Sequence, residues 1–158
     1  MKDKFSMINT KIPDFSLQNT RGDRVNIYNF NGKKIVVLVL LRGLMDLFCQ
    51  GQVFRLAKDI EKFRELNTEL YVITADRFEN ARRLELQYAK EKFPVYFDKT
   101  HEVVRLLKQE VKVLRLGRLP AILIIDKQSI IRWAYYGDAL HDIPSNKTIF
   151  EELEKLSN

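Results

Sequence analysis

The sequence holds a single cysteine, Cys49, in 158 residues, so no intrachain disulfide can form. One cysteine and two histidines, His101 and His141, cannot supply the four soft ligands of a structural zinc site. With only 6 glycines and 4 prolines, the chain has no linker-like stretch and no glycine-rich phosphate loop. Repeats and low-complexity segments are absent too. The longest apolar run, Ile35 to Leu41, is far short of the ~20 residues that span a bilayer. The start, Met1-Lys2-Asp3-Lys4-Phe5, lacks the apolar segment of a signal peptide. A cytoplasmic location is expected, and one reduced cysteine agrees with it. An acidic excess is also missing: 27 Lys and Arg stand against 21 Asp and Glu, a net charge of +6. The densest basic stretch is Arg105, Lys108, Lys112, Arg115 and Arg118. No aromatics interleave it, so it reads as a solvated helix face and loop rather than a nucleic-acid stripe. Neither a nucleic-acid nor a membrane partner is expected.

What is present is an alternation of strands and helices. Phe15 and Leu17, the turn at Arg21-Gly22-Asp23, and Val25-Asn26-Ile27-Tyr28 predict a hairpin of 14–18 with 24–28. Ile35 to Leu41 is apolar on both faces, the mark of a central strand covered on two sides. Val53, Leu56, Ala57, Ile60, Phe63 and Leu66 step by three and four, predicting one helix over 48–66. Leu70 to Thr74 is a second buried strand. Asp76 and Glu79 have capping-box spacing for a helix reaching Glu91, with Phe78, Ala81, Leu84 and Tyr88 inward. A short strand at 94–97, a helix over 101–109, strands at 121–125 and 130–136, and a helix opened by Pro144-Ser145 complete the chain. This order predicts a single α/β domain over 1–158: a central mixed sheet, rich in parallel pairs, with helices on both faces.

In open α/β sheets, chemistry gathers beyond the carboxyl ends of the strands. Cys49 stands a few residues past the 35–41 strand, where the next helix begins. Helix N-termini favour a thiolate, and Arg42 in the same loop adds positive charge. Asp46 acts in the opposite sense, because a nearby carboxylate raises a thiol pKa. Asp46 also suits the helix N-cap, bonding the N–H of residue 48 or 49. The residues alone leave Cys49 open between a reactive thiol and a small buried side chain. Leu119-Pro120, before a core strand, is a second candidate and leaves a cis peptide open. His101 and His141 sit in polar surroundings and read as exposed. Trp133 reads as packing.

Several segments, in order, resemble the thioredoxin-fold peroxiredoxins of the alkyl hydroperoxide reductase/thiol-specific antioxidant (AhpC/TSA) family. Pro13-Asp14-Phe15-Ser16-Leu17 resembles "APDFxL", and Gly32-Lys33 resembles its "GK". Val36 to Leu41, Arg42-Gly43, Phe48-Cys49 and Gln52-Val53 resemble "VLVFYRGxWCPFCxxQL". Phe93-Pro94-Val95 with Asp98 resembles "FPVLSD". Leu119-Pro120-Ala121 with Ile124-Ile125-Asp126 resembles "LPATFVID". Ile130-Ile131-Arg132 with Tyr136-Gly137 resembles "GIIRWxYxG". The resemblance spans about residues 11 to 156. It implies a thioredoxin-like fold whose N-terminal β-hairpin precedes the mixed sheet.

The departures fall at the chemistry. Against "RGxWCPFC", Asp46 takes the first, nucleophilic cysteine position, Leu47 the proline, and Cys49 the second cysteine. Against "PxxxTxxC", Cys49 takes the peroxidatic place, while Arg42 and Asp46 replace proline and threonine. The family's later arginine has no clear equivalent, with Arg118 near its place. The resemblance implies a peroxidase in which Cys49, Arg42 and Asp46 form the catalytic group. Gly43, Gln52, Leu119 and Pro120 would contact substrate. The substrate would be a peroxide or disulfide, the reductant an external thiol or thioredoxin-like protein. No cofactor or metal is called for, and a homodimer is admitted. The alternative is a binding or regulatory module that has lost turnover, because a carboxylate at position 46 cannot reduce a peroxide. Thiol–disulfide exchange through one cysteine is a third, weaker option.

Overall fold

A computed structural model describes residues 2–115 and 117–156, with Arg115 described by its backbone alone. The basic stretch at Arg115 therefore lies partly outside the described side chains. The elements are β1 (Ser16–Gln18), β2 (Arg24–Asn26), β3 (Ile35–Leu40), α1 (Leu47–Lys58), α2 (Ile60–Glu65), β4 (Thr68–Thr74) and α3 (Phe78–Gln87). They continue as β5 (Val95–Phe97), α4 (Glu102–Leu106), β6 (Val111–Lys112), β7 (Gly117–Arg118), β8 (Ala121–Ile125), β9 (Ile131–Tyr136) and α5 (Asn146–Leu156). The central sheet has the order β5-β4-β3-β8-β9. β3 pairs parallel with β4, and β4 with β5, while β8 runs antiparallel to both β3 and β9.

The two-faced run of Ile and Val makes β3 the middle strand, and every one of its residues is buried. Alternation then sorts the side chains. Val37, Val39 and Leu41 join α1, α2, α3 and α5 in one core layer. Leu38 and Leu40 join the β1–β2 hairpin, the N-terminal lead-in and α4 in the other. This is the thioredoxin-like architecture the sequence implies, with its hairpin preceding a mixed sheet covered on both faces.

Several local expectations are corrected. The 48–66 helix is two helices, broken at Asp59. There the α5 residue Asn146 donates from Nδ2 to Arg55 O and Asp59 Oδ2, at 2.9 and 2.8 Å. The apolar stripe runs through the break, so periodicity alone does not reveal it. α3 has no capping box: Asp76 accepts from Arg77 N and Asn80 Nδ2, at 2.8 Å each, and Arg77 is the N-cap without a side-chain bond. Ala81 and Leu84 of α3 are buried as expected, but Phe78 is exposed and packs edge-on against Phe97. The 101–109 helix shortens to α4, and the basic segment after it folds into the small β6–β7 hairpin. Among the described residues no peptide is cis, so Leu119-Pro120 is trans. No helix among them is long and apolar enough to cross a membrane.

Candidate functional site

The loop leaving β3 carries the chain from Leu41 to the N-cap of α1, and hydrogen bonds fix both ends of it. Leu41 N donates to Ile73 O at 2.9 Å, tying it to β4. The buried Gln109 donates from Nε2 to Leu41 O and to Leu119 O, at 3.0 and 2.9 Å. That one amide joins the end of β3 to the approach to β8. At the other end Asp46 caps α1, with Oδ1 accepting the Cys49 N–H at 2.8 Å. This satisfies one of the free N–H groups of the first turn. The second Asp46 oxygen pairs with the Arg42 guanidinium, which also donates from Nε to Arg118 O. Both side chains of the pair are largely buried, at 7% and 16% exposure. Between these anchors Gly43 has φ +150°, a value that strains any residue with a Cβ.

Cys49 occupies the third position of α1 and is 1% exposed. Its thiol pKa is pushed up to about 11. Burial is the main cause. The backbone N–H groups of Gly43 and Arg42 pull it down, the Asp46 charge pushes it up, and the Arg42 charge pulls it down least. The N-terminal address is therefore outweighed by burial. Arg42 adds positive charge near the thiol, but that charge is paired with Asp46 and lowers the pKa least.

Above this layer lies a shallow pocket of about 310 Å³, lined by Arg42, Gly43, Met45, Asp46, Arg118 and Leu140. Cys49 does not line it. Arg118 is the second cation lining this pocket. Its guanidinium lies 3.4 Å from His101 Nδ1 and 3.5 Å from Gln109 Oε1. His101 is thus half-buried beside the pocket, while His141 is exposed and packs its ring near Phe48. Met45 and Leu47 are strongly exposed on the rim. Among the described residues no group of His, Cys, Asp and Glu is arranged to hold a metal. A larger depression of about 610 Å³ lies at the opposite end of the sheet, around Ile35, Asn67 and Lys127, and is lined by no cysteine, serine or histidine.

The structure thus brings together Arg42, Gly43, Asp46 and Cys49. Gln52, one turn further along α1, is buried beneath them, and its Nε2 has no hydrogen-bond partner among the described residues. Leu119 and Pro120 are buried as well. Leu119 O takes Gln109, and Pro120 O takes Gly137 N at 2.9 Å. They hold the pocket from behind rather than facing it. A Cβ on Gly137 would meet the Asp142 backbone oxygen at 2.5 Å and Pro120 Cγ at 2.9 Å, so the close approach requires glycine. Gln109 is the one supporting residue that the sequence does not single out. Its only signal is a polar residue following Val103, Val104 and Leu107 at the end of an apolar stripe.

Residues 8–134 match the family model described as the AhpC/TSA family. A peroxiredoxin of Thermotoga maritima is 28% identical, over 86% of this chain and 65% of that protein. A peroxiredoxin of Nanoarchaeum equitans is 26% identical, over 94% of this chain and 69% of its own length. This chain thus spans about two thirds of the length of both relatives. Among solved structures, the mitochondrial 2-Cys peroxiredoxin of Plasmodium falciparum superposes with TM-score 0.80 at 18% identity, covering 95% of this chain and 94% of that one. The yeast mitochondrial 1-Cys peroxiredoxin superposes with TM-score 0.81 at 19% identity, covering 95% and 76%. At such identities the superpositions speak for the fold alone.

Proposed function

The chain belongs to the AhpC/TSA family, and on that premise we propose that it is a one-cysteine oxidoreductase that reduces peroxides with an external thiol. The observation that carries the reading is the address of Cys49. It is the sole thiol, in the first turn of α1, where the backbone of Gly43 and Arg42 favours its charged form against burial. Sulfur attacks one peroxide oxygen, the S–O bond forms and the O–O bond breaks. The departing oxygen leaves as alcohol or water, taking the proton the thiol gave up. The sulfenic acid is then attacked by an external thiol, which releases water and leaves a mixed disulfide. A second external thiol displaces Cys49 and restores it. Arg42 and Asp46 are the positioning pair, Arg42 and Arg118 supply positive charge at the pocket, and Gly43 presents its N–H. Small peroxides suit a site sealed this tightly. A disulfide would need the 43–48 segment to open.

Burial raises the Cys49 pKa to about 11, so the thiol is overwhelmingly neutral at pH 7. Turnover therefore rises steeply with pH. The same domain would work as one unit over 1–158 in the cytoplasm, with a thiol or a thioredoxin-like protein as reductant. A second reading, a thioredoxin-like binding module without turnover, is favoured by one observation. Both oxygens of Asp46 are engaged as cap and ion pair, a structural use of the position where relatives of the two-cysteine type keep their nucleophile. Thiol-dependent peroxide consumption by the wild-type chain and by Cys49→Ser separates the two. Equal rates in both proteins leave only the module.

A further inference from the structure

Two buried side-chain atoms lack a hydrogen-bond partner among the described residues, Gln52 Nε2 and Thr74 Oγ1. An unpaired buried amide costs free energy, so an acceptor brought within its reach is stabilised. Gln52 is 4% exposed and lies three residues after Cys49 on α1. Side chains three apart share a helix face, and each leans back over the turn before it. Gln52 thereby shares its helix face with Cys49, one turn back along α1. The neighbouring Gln50, by contrast, is satisfied at Leu44 O, 2.6 Å away. A thiol is a weak acceptor, but each oxidation step adds an oxygen with full acceptor capacity.

We infer that Gln52 is the built-in hydrogen-bond donor for the oxygen that Cys49 carries once oxidised, so that the site is completed only in its oxidised state. The inference rests on the reading of Cys49 as the redox thiol. It assigns Gln52 to the oxidised intermediate rather than to incoming substrate. Beside the backbone N–H groups of Gly43 and Arg42, Gln52 adds a side-chain donor for the sulfenic oxygen. With Gln52 it is held until the external thiol arrives.

The test uses the whole chain and a route to oxidised Cys49 that bypasses native reactivity. Cys49 is oxidised to the sulfinic acid in urea-unfolded protein, verified by peptide mass, and the chain is refolded. Urea midpoints are then compared for reduced and oxidised forms of wild type and Gln52→Leu. The reduced Gln52→Leu protein is expected to be at least as stable as wild type, because an unpaired amide has been removed. Oxidation is expected to cost the variant about tenfold more in the unfolding equilibrium constant than it costs wild type. Equal oxidation costs overturn the inference. So does a reduced Gln52→Leu protein that is less stable than wild type or fails to fold, since the amide is then already partnered. An oxidised wild-type chain that does not refold overturns it as well. A Gln52-dependent gap in protein whose native Cys49 ignores peroxide would sink the peroxidase reading and leave the donor role standing.

Discussion

Replacing Asp46 probes the cap, the ion pair and the thiol together. Asp46→Ala removes the acceptor of the Cys49 N–H, a loss of about 1 kcal/mol. It also removes the carboxylate that neutralises Arg42, whose side chain is 7% exposed. Breaking a buried pair from one side costs about 3 kcal/mol, the low end of the range because the Asp46 side chain keeps 16% exposure. Together these predict a loss of about 4 kcal/mol, or roughly 10 °C in midpoint for a chain of this length. Asp46→Ser retains a capping oxygen and loses only the charge, so about 1 kcal/mol is recovered. Urea unfolding followed by Trp133 fluorescence measures the series. The ordering wild type, Ser, Ala is expected, with unchanged slope. The same carboxylate raises the Cys49 pKa, so Asp46→Ser should alkylate faster than wild type between pH 7 and 8. An Asp46→Ala protein within about 0.5 kcal/mol of wild type would refute the reasoning, since that is the range of a surface change.

Burial makes Cys49 a neutral thiol up to high pH, so its alkylation rate should keep climbing to about pH 11, and a plateau below pH 9 would contradict the sealed site. Because the folded pKa lies above the unfolded value, this thiol's contribution is complete below pH 9 and is lost as pH rises through about 11. Wild type should therefore lose about 2–3 kcal/mol more than Cys49→Ala across that interval, read from urea midpoints. Gln109→Leu leaves the carbonyls of Leu41 and Leu119 unpaired and should cost about 2 kcal/mol. It should also speed Cys49 alkylation by loosening the end of β3, and unchanged alkylation would deny Gln109 a role at the site. Glu85, buried and held below the usual carboxylate range by Thr20, Arg82 and Arg21 against the effect of burial, contributes stability above its unfolded pKa of 4.5 that is lost on further acidification. Glu85→Gln should flatten that acid limb.

The strands were readable because burial on both faces forces uninterrupted apolar runs, as in Ile35–Leu40 and Ala121–Ile125. Alternation marked the hairpins in the same way. The break at Asp59 was not readable, because Asn146, distant in sequence, caps it while the apolar stripe passes through unchanged. The β6–β7 hairpin buries no apolar face: both residues of β6, Val111 and Lys112, are exposed, so no burial period marks it. At the site, sequence located Cys49 and cast Asp46 as either cap or obstacle, and the structure makes it both. It did not reveal that Arg42 pairs with Asp46. Nor did it show that the sulfur lies under the pocket floor. Pairing and depth arise from how the loop turns at Gly43, which the residue types alone leave undetermined.

The most direct measurement is peroxide consumption by the reduced protein with a small-molecule thiol as reductant, followed from pH 7 to 10 beside Cys49→Ser. The account predicts turnover by wild type alone, rising with pH, with sulfenic acid trapped on Cys49 when the thiol is withheld. Consumption no faster than Cys49→Ser across the whole range, with no trapped sulfenic acid, would contradict it.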